Sequence, residues 1–423
     1  MTQLTQNHSF YPAAQAPADL DALAQNIKTW GLQLGLANVG ITHTHLAHYE
    51  AHHFSWIEQN FHGEMDYMAR HGTKRTRPEE LEPGTLSVIS VRMNYLDLLA
   101  QEPTAQLHQS QQAYISRYAL GKDYHKIMRK RLTQLANIIA QHVTDFKYRA
   151  FCDSAPVLEK PLATQAGLGF IGKNSLLIHP KAGSWFFLGE LYTNLSLPAD
   201  EPFSKQGCGP CTACIQECPT QAIVSNGVVD ARRCVSYLTI EFKGSIALEL
   251  RPLIGNRIYG CDDCQLVCPW NKFTSSTEED AFKASAAQDS KQTAPNIGLD
   301  RISLLDCWQW DETTFLRRLE GSPIRRIGYT QWTRNLAVAL GNVQADQATL
   351  HNIIEQLTQK HGAVSPLVDE HIEWAIQQLT ARLKTLNNPA TPNLEPAELS
   401  LKALEPQANL KPFFAKKYYV PTP

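Results

Sequence analysis

The chain has 423 residues, room for two or three domains at about 150 residues each. Hydrophobic residues make up 43% and charged residues 19%, which excludes wholesale disorder; 39 Lys plus Arg against 41 Asp plus Glu excludes a broadly basic nucleic-acid coat. No run of 18 apolar residues occurs, and the opening residues carry neither a basic start nor an apolar stretch, so a cytoplasmic protein with no membrane span and no secretory signal is expected.

Residues 1–17 are polar, with scattered Pro and Ala, and read as a flexible N-terminus. From Asp19 to about Pro198 helical and strand signals alternate, which predicts one α/β or α+β domain over 18–198. Asp19 to Gly31 opens as a helix, and Ser87–Val91 is a β-branched run fit for a buried strand. Asp123 to Val143 is helical: Ile127, Met128, Leu132, Leu135, Ile138 and Ile139 recur at spacings of three and four, opposite Lys126, Arg129, Lys130 and Arg131. Ser184–Leu188 and Leu191-Tyr192 read as strand. A cysteine-rich segment occupies 199–273, a polar linker 274–295, and a helical domain 296–386 that includes Trp332–Leu340 and Val368–Leu386. One helix pair has the look of a single HEAT-like unit, which does not establish a repeat array. Residues 387–423 hold seven prolines and read as an extended tail.

Eight of the ten cysteines fall between 208 and 268, which in a cytosolic chain signals metal binding rather than disulfides. Cys208-x2-Cys211-x2-Cys214-x3-Cys218-Pro219 has the bacterial ferredoxin spacing, in which the fourth Cys ligates the other cluster. Cys234 stands alone, and Cys261-x2-Cys264-x3-Cys268-Pro269 follows. The rule predicts two 4Fe-4S clusters, one on Cys208, Cys211, Cys214 and Cys268, the other on Cys218, Cys234, Cys261 and Cys264. A pair of structural four-cysteine zinc sites fits this spacing poorly. Cys152 and Cys307 read as buried small side chains.

Gly167-Leu168-Gly169-Phe170-Ile171-Gly172 matches the dinucleotide fingerprint literally, but a helix precedes it and a strand follows, the reverse of what that site requires. Its glycines are expected to end a helix and let the backbone approach a flat ligand closely. Asp153 lies just before that helix, with Ser154 as the expected N-cap; it is either a capping residue or an acid whose pKa an apolar cofactor must raise. No Asp-x-His-x-x-Gly motif is present, since Asp123-Tyr124-His125 and Asp369-Glu370-His371 both lack the glycine.

Several stretches together resemble the epoxyqueuosine reductase family, the cobalamin-dependent iron–sulfur enzymes of queuosine biosynthesis. They are Ser116–His125, Asp153–Lys160, Ala166–Asn174, the cysteine runs with Arg233–Glu241 and Tyr259–Asn271, then Gly321–Arg326 and Arg334–Leu336. The resemblance spans about residues 20–385. It implies an α+β protein with a cobalamin-binding catalytic domain, a two-cluster ferredoxin domain and a C-terminal helical domain. It implies reduction of the epoxide of epoxyqueuosine, at the wobble position of the tRNA anticodon stem-loop, to queuosine. Co(I) cobalamin fed by the clusters would act without a protein His ligand, with Asp153 as proton donor. Ser116, Asp153, Lys173, Asn174 and Ser236, with Arg75 or Arg77 (Arg77 being taken as the contact), are the implied corrin contacts. A low-potential electron donor, not identified by the sequence, and a monomeric state complete the expectation. Other corrinoid iron–sulfur reductases, such as reductive dehalogenases, and a non-catalytic ferredoxin-type carrier are the alternatives. Basic clusters at Lys126/Arg129/Lys130/Arg131, Arg232/Arg233 and Arg325/Arg326 are the candidate tRNA contacts, each of which is equally a solvated face.

Overall fold

The computed structural model describes residues 19–204, 207–284 and 298–387. The expected flexible start, the linker from residue 285 and the Pro-rich tail lie outside the described residues, apart from Asn387, which ends the last helix.

A four-stranded sheet organises the first domain, with Asn38–Thr42, Ser87–Asn94, Phe186–Thr193 and Tyr148–Phe151 side by side and antiparallel throughout. Alternation sends Ile89, Val91, Met93, Phe187 and Leu191 to one face. There they meet helix Leu20–Gln33, capped by Asp19, and helix Tyr124–Ala140, whose buried Met128, Leu132, Leu135 and Ile139 follow the expected three–four spacing. Gly189 makes that contact possible: a Cβ there would lie 2.9 Å from the Met128 side chain. The opposite face carries Val88, Tyr192, Phe186 and Leu188, covered by the short helix Glu159–Gln165. The strand signals at Ser184–Leu188 and Leu191-Tyr192 are one strand, Phe186–Thr193.

The literal glycine fingerprint is a helix end followed by a hairpin, Phe170–Ile171 against Leu177–Ile178, as its context predicted. Gly169 has φ +153°, and a Cβ there would sit 2.4 Å from the Ile178 carbonyl oxygen, so the close approach is to this hairpin.

A second core joins Ala113, Ile115, the cluster segment from Ala231 to Tyr259 and the C-terminal helices. Strand Arg257–Tyr259 pairs in parallel with Tyr114–Ile115, so the cluster segment is stitched to the first domain by backbone bonds. Helix Gly328–Gly341 was expected to bury one face, but every residue from Gln331 to Gly341 is buried. It runs between helix Pro366–Asn387 and the cluster segment, and its polar side chains satisfy carbonyls of the latter. Arg334 donates to the carbonyls of Phe242 and Leu238 at 2.7 and 2.6 Å, and Asn335 to those of Thr239 and Ile258 at 2.8 and 2.9 Å. Buried carbonyls need such donors, so these helices complete the cluster segment rather than hang from it.

The described part of the expected linker, Thr274–Ala284, lies along the first domain. Thr277 donates from its amide to the Leu96 carbonyl at 2.7 Å, Arg131 pairs with Glu279 at 2.7 Å, and Phe282 is buried in the first core. Burying that phenyl ring contributes about 2–3 kcal/mol, which outweighs the polar composition that suggested a free connector.

Candidate active site

Asp153 follows strand Tyr148–Phe151 at once and takes a left-handed backbone conformation, φ +58°. Its side chain is 51% exposed. Ser154 does not cap the helix: the cap position is Leu158, without a side-chain bond, and the Ser154 hydroxyl accepts from Arg129 at 2.7 Å. Asp153 caps nothing either; its amide donates to the Glu159 carboxyl at 2.5 Å. The capping reading of Asp153 is therefore excluded by geometry.

The first turn of helix Tyr124–Ala140 supplies the partners that sequence reasoning had not assigned. Tyr124 Oη donates to Asp153 Oδ2 at 2.5 Å, and His125 Nε2 lies 3.1 Å from the same oxygen. His125 Nδ1 lies 2.7 Å from Asp123 Oδ1, so the imidazole is held between two carboxylates. The Tyr124 ring stacks on Phe187, centroids 4.1 Å apart, which fixes it to the sheet. Burial disfavours a charge on His125, but its bonds to Asp123 and Asp153 outweigh that and raise its pKa. Burial likewise pushes the Asp153 carboxyl up, yet hydrogen bonds from His125 and Tyr124 and the charges of His125 and Arg326 hold it below its usual value. These shifts favour a charged imidazole on His125 beside an ionised Asp153, one hydrogen bond apart.

Around this dyad stand Tyr118, Tyr259, Tyr67, Arg326 and Glu241, all within electrostatic reach of Asp153 or of one another. Tyr259 precedes Gly260-Cys261 directly, so the same rim touches both the acid and the cysteine segment. Arg326 bonds to Tyr259 and faces Asp153, which makes it part of the site rather than of a distant patch. Among the other basic clusters, Arg232 is paired with Asp230 at 2.8 Å and Arg233 donates to the Thr220 carbonyl at 2.9 Å.

The eight cysteines separate in space as two quartets. Cys268 lies with Cys208, Cys214 and Cys211, while Cys264 lies with Cys234 and Cys218, and Cys261 with Cys234. Each run lends its last cysteine to the other group. Among the described residues no three His, Cys, Asp or Glu side chains gather tightly enough for a single bare metal ion. Four thiols spread in this way suit the corners of a four-iron cluster. Backbone amides of Lys173 and Ala222 donate to the sulfurs of Cys208 and Cys218, at 3.4 and 3.2 Å. Such bonds stabilise thiolate charge and tune reduction potential. Cys152 and Cys307 are buried, as expected of small side chains.

The other implied corrin contacts are spread over this interface. Lys173 donates to the Gly209 and Cys211 carbonyls at 2.8 and 2.9 Å, and Asn174 to the Cys264 carbonyl at 3.2 Å, so both seat cysteine loops. Ser116 is buried and donates to Asp262 at 2.5 Å, beside Cys261. Ser236 is half-buried, two residues after Cys234. Arg77 is tied to Glu50 at 2.8 Å and Glu80 at 3.1 Å, away from the dyad. Arg75 is the arginine beside Tyr67, donating to its carbonyl at 2.8 Å, with a buried Nε that has no partner.

Residues 75–154 match the family model "Epoxyqueuosine reductase QueG, DUF1730", and residues 207–271 match "4Fe-4S double cluster binding domain". The epoxyqueuosine reductase of Pseudomonas aeruginosa is 53% identical over 364 residues, covering 86% of this chain and 96% of the relative. That of Escherichia coli is 52% identical over 366 residues, covering 86% and 92%. The fold is similar to that of an epoxyqueuosine reductase crystallised with an epoxyqueuosine-modified tRNA-Tyr stem loop: TM-score 0.74, 24% identity, 92% of this chain and 98% of that one. It is also similar to the Bacillus subtilis epoxyqueuosine reductase whose catalytic aspartate loop is swung out of the active site: TM-score 0.69, 24% identity, 92% and 98% covered.

Proposed function

The chain belongs to the epoxyqueuosine reductase family, and we propose that within it Asp153 is the acid, recharged by His125, that protonates the departing epoxide oxygen. The enzyme reduces epoxyqueuosine in tRNA to queuosine and carries two 4Fe-4S clusters. Converting an epoxide to an alkene breaks both carbon–oxygen bonds, consumes two electrons and two protons, and releases water.

The observation that carries the acid assignment is the Asp153–His125–Asp123 line, with Tyr124 on the same carboxylate oxygen. Half-exposed Asp153 faces outward, where a substrate oxygen can reach it, and the proton is held one bond behind. A carboxylate at rest becomes a donor when a ligand covers it: desolvation favours the neutral form, and the imidazolium proton crosses the 3.1 Å Nε2–Oδ2 hydrogen bond to the carboxyl. Tyr124 keeps its proton, because burial and the Asp153 charge raise its pKa, so it orients the carboxyl without acting as the acid.

The residues present fit cobalamin. Arg75, with its unpartnered buried Nε, Tyr67 and Arg326 offer donors around an open carboxylate, the kind of rim that a corrin's amide side chains call for. Ser116, Lys173 and Asn174 hold the cysteine loops, Ser236 lies two residues after Cys234, and Arg75 takes the place of Arg77 as the proposed arginine contact. When bound, cobalamin supplies the nucleophile and the electrons that open the epoxide. The two cysteine quartets are the proposed cluster ligands, as the double-cluster match and their grouping support. The described residues contain no helix long and apolar enough to cross a membrane. The proposed working form is a cytoplasmic monomer supplied by a low-potential electron donor.

Anaerobic protein given a strong chemical reductant and an epoxyqueuosine-bearing stem-loop is expected to form queuosine only when cobalamin is bound. Equal queuosine formation after complete removal of cobalamin would sink this reading.

A further inference from the structure

Behind Asp153 lies a carboxyl pair that the reaction does not use. Glu190 occupies the central strand between Ser90 on one neighbour and Phe151 on the other, in a row otherwise made of Phe186, Leu188 and Tyr192. It is fully buried, and both its carboxyl oxygens lack a hydrogen-bond donor. The side chain it meets is Glu159, the first residue of helix Glu159–Gln165. Glu159 is half-buried and Glu190 fully buried; burial, then the Glu159 charge, raise the Glu190 carboxyl well above its usual range, so the inner acid is the one that keeps its proton. Glu159 then spends its outer oxygen, Oε1, on the Asp153 amide at 2.5 Å.

The placement is costly. Apolar residues would pack under this loop more favourably than a buried acid without a donor. What the acids supply is an acceptor for one particular amide, that of a non-glycine residue at φ +58°. We propose that Glu159 is the positioning residue of Asp153, holding its left-handed backbone by accepting from its amide, with the buried Glu190 carboxyl behind it. This rests on Asp153 being the acid.

The groups facing the pair are Asp153 and Cys152 on the loop, Lys160 on the helix, and Tyr192 on the strand, with Arg129 reaching Cys152 from the neighbouring helix. The Lys160 ammonium donates to the Ser175 carbonyl at 2.7 Å, and its charge acts to lower the Glu159 carboxyl against the larger effect of burial. Burial, then the Asp153 charge, push the Glu159 carboxyl up to about 8. A neutral and an ionised Glu159 both accept from the Asp153 amide, so the latch does not depend on its charge.

Two variants separate latch from charge. Glu159→Gln keeps an acceptor that is always neutral, whereas Glu159→Leu keeps bulk and removes the acceptor. Hydrogen exchange of the segment 151–158, measured on the cluster-loaded protein, reads the loop without reference to turnover. The expected result is that wild type and Glu159→Gln are both protected from about pH 7 to about 9, and that Glu159→Leu is unprotected at both. Turnover of a modified stem-loop under chemical reductant should fall by about 10–100-fold in Glu159→Leu, mostly in kcat, and stay near wild type in Glu159→Gln, as a misplaced catalytic group predicts. Equal protection of segment 151–158 in Glu159→Leu and wild type overturns the latch without reference to turnover. Wild-type turnover in Glu159→Leu, or an equal loss in Glu159→Gln, overturns the latch. If Asp153→Asn alone keeps full turnover, the acid assignment fails instead, while the exchange result still reports on Glu159.

Discussion

The cysteine segment and the Asp153 loop are neighbours built on opposite plans. The cysteines come from one stretch of about 60 residues, and their ligands are set by local spacing with one exchange between runs. The Asp153 site draws its groups from Tyr67, Tyr124 and His125, Glu159, Glu190, Tyr259 and Arg326, an assembly that exists only after both cores have formed. A cluster tolerates a local construction because thiolate and iron do the chemistry. An acid must be tuned by neighbours on several elements, because its pKa is the sum of burial, charge and hydrogen bonding.

The largest effect should come from breaking the exchange between the cysteine runs. Cys218→Ala is expected to remove the cluster completed by Cys234, Cys261 and Cys264, leaving Cys208, Cys211, Cys214 and Cys268 loaded. Anaerobic iron content should fall from about eight to about four per chain, with queuosine formation lost. Loss of the cluster on the remaining cysteines of its own run would show that the swapped assignment is wrong.

Next in size is Asp153→Asn, which keeps shape but cannot deliver a carboxylic proton. Both clusters and bound cobalamin should remain while turnover falls by about 10²–10⁴-fold, the usual scale for a lost general acid. Near-wild-type conversion with cobalamin bound would hand the proton to another group.

That contrast explains how much was legible in the sequence. Cysteine spacing is a local signal, so both quartets could be written down before any fold. Helix Tyr124–Ala140 and the strands announced themselves by periodicity. Asp153 was visible as a residue and ambiguous as a role, since a helix start makes capping the commoner fate of an Asp; the left-handed backbone that frees it from capping is not written in residue types. His125 lies 28 residues away in sequence, and only the motif running from Ser116 to His125 hinted that it mattered. Glu190 was unreadable because a strand with apolar neighbours gives no sign that one of its acids meets another on the covering helix.

A smaller effect follows from the resting charges. His125 has a raised pKa, so the protonated form that favours the His125–Asp153 bond is present below its ordinary value near 6.5 and is lost as pH rises through the folded value. Asp153 has a lowered pKa, so its carboxylate contributes stability above its ordinary value near 3.8 and loses it as pH falls through the folded one. Turnover should therefore decline on the alkaline side with a midpoint above 6.5, and His125→Gln should abolish that limb while lowering the plateau. An unchanged alkaline limb in His125→Gln would remove the histidine from the proton path.

The smallest effect sharpens the comparison at the edge where the two regions meet. Arg325 and Arg326 are both exposed and adjacent, yet only Arg326 bonds to Tyr259 and faces Asp153. If both touch the tRNA backbone, replacing either with Ala removes about one phosphate contact and reduces the slope of log affinity against log salt by about one. The arginines should then differ in turnover at saturating stem-loop. Arg325→Ala acts on binding alone and leaves kcat unchanged. Arg326→Ala also removes a positive charge that helps to keep Asp153 ionised at rest, so kcat and its pH dependence should shift as well. Identical behaviour of the two variants, with only binding affected, would return Arg326 to the general basic surface. Unchanged binding and salt dependence in both would assign the pair to solvent, leaving the recognition of tRNA to the rim of tyrosines.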